Sequence, residues 1–333
     1  TGADKALTVT GHVSITGDLL CNASTVVMGS CIVNASGTLT APTSSGSFTI
    51  NSESSSHAFR VSGSGELVNS DGTLTITTPA ETRIKMNGTG NLHSLTVNHA
   101  SCVVFTHTDS AGITVEGNLT ITAGQLSTME QGGSDKNLTV TGLVSVTGTL
   151  TGNASAISMG SLLINGGGIY NATSGTTTII GISGVTYPWK SDNTSGSGFV
   201  HNNGKVHFDF GVTQSYYLEE DYYYDLEVEH NNDASHLIFT DNIADVGLTV
   251  YGDFTITRGY FRIHTAGDPV TVHGNTSVAA IGKFNDDGNC SGTHTFNGLI
   301  TNLGTFATTS GTNNFNGGVR NLGTFTSNDT LTI

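Results

Sequence analysis

The chain has 333 residues, with 11 Lys and Arg against 26 Asp and Glu for a net charge of −15; charged residues make up 11%, apolar ones 36%, and Gly numbers 44 against only 4 Pro. Scarce Leu, Ala, Glu and Lys argue against helical bundles, and abundant Val, Ile and Thr argue against disorder. An acidic chain with no basic cluster is unsuited to nucleic acid or anionic lipid, and it holds no apolar run long enough for a membrane-spanning helix.

Short segments alternate apolar and hydroxyl residues from the start: Leu7-Thr8-Val9-Thr10, Val13-Ser14-Ile15, later Leu74-Thr75-Ile76 and Leu138-Thr139-Val140. Period-2 alternation sends Leu7 and Val9 to a core and Thr8 and Thr10 to water. Gly11, Gly17, Gly142 and Gly148 follow such segments, where a corner is expected to need unusual dihedrals. Asn22, Asn34, Asn153 and Asn165 fall at corners too, since Asn tolerates the left-handed region.

The segments recur at an offset of 19: Leu7-Thr8-Val9 with Val26-Val27-Met28, Val13 with Ile32, Leu119-Thr120-Ile121 with Leu138-Thr139-Val140, and Phe296-Asn297-Gly298 with Phe315-Asn316-Gly317. A longer repeat aligns residues 4–43 with 135–174, an offset of 131, so DKALTVTGHVSITGDLLCNAS returns as DKNLTVTGLVSVTGTLTGNAS. Short strands at this period, joined by Gly and Asn turns, suit the coils of a solenoid, each burying its apolar side against the next. The predicted fold is all-β: a single-stranded right-handed parallel β-helix, or β-solenoid, of about 16 coils of about 19–22 residues each. Repeat unit 1 covers 1–137, unit 2 covers 138–269 and a partial third unit covers 270–333, in one continuous rod.

The pattern blurs over 183–233, within unit 2. This stretch holds the only Trp, Trp189, and the run Tyr216-Tyr217-Leu218-Glu219-Glu220-Asp221-Tyr222-Tyr223-Tyr224. Exposed aromatic rings stack on sugars, and neighbouring carboxylates accept hydroxyl hydrogen bonds. Trp189, Tyr216, Tyr217, Tyr222, Tyr223 and Tyr224 are therefore the candidate glycan-binding residues, set against an irregular coil whose rings simply cover the solenoid flank.

Other chemistry is thin. No phosphate-binding glycine motif, HExxH or GxSxG occurs. Glu219-Glu220-Asp221 and Asp286-Asp287 offer oxygen ligands of the kind Ca²⁺ takes, but adjacent carboxylates in an extended chain point to opposite faces, so no metal or other cofactor is expected. The four Cys (Cys21, Cys31, Cys102 and Cys290) show no CxxC; Cys21 and Cys31 read as free buried thiols or as a pair. Surface ladders of His are expected at His93, His99, His107, His201 and His207. Arg258, Arg262, His264 and Asp268 are the nearest approach to a polysaccharide lyase constellation, and no catalytic residue is assigned. Sequons such as Asn22, Asn118, Asn137 and Asn153 matter only in a eukaryotic secretory setting.

The recurring LTVTGxVSxTGxL…NAS…MGS phrase resembles repetitive β-solenoid surface proteins, of the phage tail-fibre or virion-surface type and the bacterial adhesin passenger type. The resemblance implies an elongated, extracellular or virion-exposed scaffold that self-associates into a fibre or oligomer and meets a cell-surface glycan or receptor. The expected function is a non-enzymatic structural or attachment module. The alternatives are an adhesin passenger, and a polysaccharide lyase or glycoside hydrolase built on a β-helix.

Overall fold

The structure, a computed structural model, describes residues 4–51, 56–130, 132–192, 198–211, 214–218, 222–231, 236–239, 247–263, 268–286, 291–309 and 311–327. Among the described residues there are strands and no helix, and the strands stack in parallel as a β-solenoid of about 13 turns. Two compact units are distinguished: Thr1–Met159 with Ile164–Gly175 and Gly198–Val200, and Gly160–Leu163 with Thr176–Ser197 and His201–Ile333.

The turns number fewer than 16 because many coils are longer than the repeat suggests. Leu7 faces Val26, a step of 19, but Phe48 faces Leu74, a step of 26, and Thr176 faces Lys205, a step of 29. Inward side chains hold the register while the corners absorb the extra residues, which surface loops tolerate at little cost. Two alignments shift accordingly. Val13 faces Cys31 rather than Ile32, because the register slips between Val9 and His12. Leu119-Thr120-Ile121 faces Val144-Ser145-Val146, and Leu138-Thr139-Val140 faces Ile113-Thr114-Val115, so the two similar phrases lie on different ladders.

In the first unit the core is a ladder of aliphatic residues. Met28, Ile50, Ile76, Val97, Ile121 and Val146 face one another coil after coil, and all are fully buried. The outward residues between them form the columns Thr49–Thr75–Thr96–Thr120, with Ser145 next. In the second unit the core turns aromatic. Phe284 stacks on Phe306 with centroids 4.6 Å apart and planes 10° apart, and Phe306 stacks on Phe325 at 5.3 Å and 5°. Phe296 stacks on Phe315 at 5.7 Å. Parallel in-register stacking places identical rings face over face, which is where offset stacking is favourable.

The corners follow two rules rather than one. Asn22 and Asn153, 131 residues apart, both adopt the left-handed region, with φ of 49° and 51°. Asn34 and Asn165 instead donate from Nδ2 to Ser14 Oγ at 2.8 Å and Ser145 Oγ at 2.9 Å, tying each corner to the coil before it. Gly11, Gly17, Gly142 and Gly148 are not in the left-handed region. What demands glycine at Gly142 and Gly148 is close approach: an added Cβ would run into the carbonyl oxygens of Gly117 and Gly124 respectively. The matching Gly11 and Gly17 have nothing within 4 Å.

Two substitutions at equivalent places of the long repeat should therefore differ. Gly148→Ala is expected to lower stability by about 1–3 kcal/mol through overpacking, while Gly17→Ala should leave it unchanged or slightly raise it. Urea unfolding of both variants checks this. In the aliphatic ladder, Ile76→Ala should destabilise by about 2–5 kcal/mol, read from the same unfolding curves.

Candidate functional site

The strands Tyr222–Tyr223, Leu248–Val250, Val270–Val272, Thr293–Phe296 and Thr312–Phe315 form one five-stranded parallel sheet in the second unit. Tyr223, Val250, Val272, Phe296 and Phe315 close these strands and point inward, each fully buried. Alternation turns the next residue of each outward: Tyr224, Tyr251, His273, Asn297 and Asn316. Backbone hydrogen bonds fix this stacking, from Tyr251 N to Tyr223 O at 3.0 Å, His273 N to Val250 O at 2.8 Å, Asn297 N to Val272 O at 2.9 Å and Asn316 N to Phe296 O at 2.9 Å.

The result is a surface ladder. Tyr251, 49% exposed, lies parallel to His273, with centroids 5.7 Å apart and planes 5° apart. The His201 ring sits 5.6 Å from Tyr224, 5.5 Å from Tyr251 and, edge-on, 6.3 Å from Tyr222. Asn297 Nδ2 lies 3.4 Å from His273 Nδ1, and Asn316 Nδ2 donates to Asn297 Oδ1 at 2.8 Å. At one strand spacing per step the column from Tyr224 to Asn316 is about 19 Å long.

A second column of acceptors runs beside it. Asp225 Oδ1 accepts from Asp253 N at 2.8 Å, Asp253 Oδ1 accepts from Asn275 N at 2.7 Å, and Asn275 Oδ1 accepts from Leu299 N at 3.1 Å. Each carboxylate is anchored through one oxygen to the next coil, and Asp253 and Asn275 are exposed. Exposed rings beside fixed acceptors are the groups that a ligand with apolar faces and hydroxyls can meet, with specificity set by a few placed polar groups.

The six residues singled out in the sequence do not converge. Trp189, Tyr216 and Tyr223 are fully buried, which corrects their reading as surface stacking groups. Trp189 packs edge-on against Phe208 at 6.3 Å and Tyr223 at 5.8 Å, and Tyr216 packs on Phe210 at 4.3 Å. The long coils of this stretch enclose space that large rings fill. Tyr217 is half-buried on another sheet, 5.9 Å from Tyr187, whose ring lies 5.7 Å from Lys190 Nζ. Only Tyr222 and Tyr224 join the ladder. Tyr251, His273, Asp225, Asp253 and Asn275 were missed, although a signal exists: Tyr251-Gly252-Asp253, His273-Gly274-Asn275 and Asn297-Gly298 repeat one corner phrase.

The remaining candidates are dispersed. Glu219, Glu220, Asp221, His264, Asp287 and Cys290 lie outside the described residues. The buried Asp286 carboxylate accepts from Thr309 N and Oγ1, both at 2.6 Å. Arg258 donates to Asn231 Oδ1 at 2.8 Å, Arg262 sits on the same strand facing Asn285, and Asp268 is buried. Among the described residues no group of three or more His, Cys, Asp or Glu is placed to hold a metal ion. Cys21, Cys31 and Cys102 are free and buried, and burial, then the neighbouring Cys21, pushes the Cys31 thiol up to about 12.

Burial holds the His201 imidazole below its usual pKa; His230, buried beneath Tyr216 and Phe210, is also lowered, by burial first and then by Arg258, while its hydrogen bond to Gln214 O pulls the other way. Both rings are then neutral in the folded chain when the unfolded chain begins to take up protons near pH 6.5. Stability is full above about pH 6.5 and is lost as the pH falls below it. Thermal unfolding from about pH 7 to pH 5 should show a falling midpoint, with a shallower fall in His230→Leu. Compared with known proteins, the chain matches no family model, no curated protein and no solved structure.

Proposed function

We propose that the chain is a non-enzymatic attachment module of an extracellular or virion-surface fibre, whose second unit binds a carbohydrate chain along the Tyr224–Tyr251–His273 ladder. The observation that carries this reading is the exposed, parallel pair of rings at Tyr251 and His273 beside an anchored acceptor column. The β-solenoid supports the scaffold part: each coil is held by its neighbours, so outward side chains stand in rows on a firm base. Net acidity supports solubility of a Thr-rich β protein. A cell-surface adhesin passenger would use the same surface in the same way and differs only in what anchors the chain.

Glycan-array binding of the full chain tests it. Tyr251→Ala and Asp253→Ala should each weaken binding by about tenfold or more. Tyr251→Ala should leave the unfolding midpoint unchanged, whereas Tyr223→Ala, a core change, should cost about 3–5 kcal/mol of stability. Saccharide binding that survives Tyr251→Ala together with Tyr224→Ala, or an array with no bound glycan, overturns the proposal, and turnover of a bound polysaccharide would replace it with an enzyme.

A further inference from the structure

The first unit carries a different surface. Successive coils place Arg60, then Arg83 and Lys85, then His107 on the outward side of one sheet. Arg60 faces Lys85 in register, Arg83 faces Phe105, and His107 N bonds Ile84 O at 3.0 Å. The His57 ring lies 4.9 Å from the His107 ring. Arg60 Nε donates to Ser62 Oγ at 2.6 Å, Arg83 Nε donates to Glu130 Oε1, and Lys85 Nζ donates to Asp109 Oδ2 at 2.8 Å. His107 sits 3.8 Å from Asp109 and 3.9 Å from Glu130. Glu81, exposed at the start of the strand that carries Arg83 and Lys85, turns to the same side by alternation.

Three permanent cations thus stand among three carboxylates, Glu130 and Asp109 paired with Arg83 and Lys85 and Glu81 exposed at the edge, before either imidazole is counted, on a chain whose net charge is −15. The local field is registered at His57. Burial, then His107, Arg60, Lys85 and Arg83, push its imidazole down to about 4. Of the two paired carboxylates, Asp109 is loosely held, its side chain 66% exposed. The Lys85 side chain beneath it is only 12% exposed, so Asp109 is the solvent-facing partner of the pair and the one an incoming oxyanion would replace. Phe105, half-buried on the outward side beside Arg83, adds a flat apolar edge.

We propose that this patch binds the anionic group of an acidic saccharide, a carboxylate or a sulfate, held by Arg60, Arg83 and Lys85 with the ligand's oxyanion replacing Asp109 on Lys85. Guanidinium groups suit such ligands because their planar fork matches an oxyanion bidentately. The site is separate from the tyrosine ladder and requires nothing of it. Protonating His57 adds a cation to the cluster, so affinity rises as the pH falls towards 4, and by linkage a bound anion raises the His57 pKa.

The test is calorimetry and imidazole NMR titration of the full chain with three probes: an oligogalacturonate, a sulfated oligosaccharide and a neutral cello-oligosaccharide. At least one acidic probe should bind and raise the His57 pKa, with affinity falling as salt is added, and the acidic arm that binds tells carboxylate from sulfate. Arg60→Gln and Lys85→Met should each weaken that binding by about tenfold. A His57 titration unmoved by either acidic probe, or both variants binding as the parent does, overturns the proposal. Should Arg60→Gln fail to fold, the parent titration and Lys85→Met still decide. Loss of neutral-probe binding bears only on the tyrosine ladder, so the two sites fail or stand separately.

Discussion

Parallel, in-register hydrogen bonding between coils governs nearly everything else in this protein. It places each residue directly beside one from the coil before and one from the coil after, about one strand spacing away. What the chain repeats in sequence it therefore repeats in space as a column. Met28 to Val146 make an aliphatic column, Phe284 to Phe325 an aromatic one, and Thr49 to Thr120 a hydroxyl one on the outer face. The same rule makes the corners demanding. A backbone that must pass close over the one below leaves no room for a side chain at Gly142 or Gly148, whatever its dihedrals.

The fold was legible because the alternation of Leu, Val and Ile with Thr and Ser is strong and regular. The number of turns was less so. Periodicity reports that similar strands recur, not whether two of them belong to adjacent sides of one coil or to the same side of successive coils. Leu119-Thr120-Ile121 and Leu138-Thr139-Val140 look alike and sit 19 residues apart. Yet the first pairs with Val144-Ser145-Val146 and the second with Ile113-Thr114-Val115, on separate ladders. Only inter-coil hydrogen bonds distinguish the cases, and the long corners that separate them carry no signature of their own.

The candidate sites were legible in chemistry more than in address. Aromatic residues do stand beside carboxylates on the surface, but local crowding of Tyr was a poor guide to where they meet. In a run such as Tyr222-Tyr223-Tyr224 the middle residue points inward by alternation, and Trp189 and Tyr216 are large enough to be taken up by the wide interior. Residues that act together in a solenoid are a coil apart rather than adjacent. Tyr224, Tyr251 and His273 form one surface, and so do Arg60, Lys85 and His107, although no short window of sequence contains either group. A chain whose cations are scattered in sequence can still bring several of them together in space.

The acceptor column beside the tyrosines has a consequence for how such a surface changes over time. Asp253 receives the amide of Asn275 while its own amide rests on Asp225. Replacing any one of the three removes an outward oxygen and also loosens the coil that follows it. The outward chemistry of this edge and its architecture are then inherited as a single trait, and drift along it must proceed by compensated pairs of substitutions rather than one position at a time.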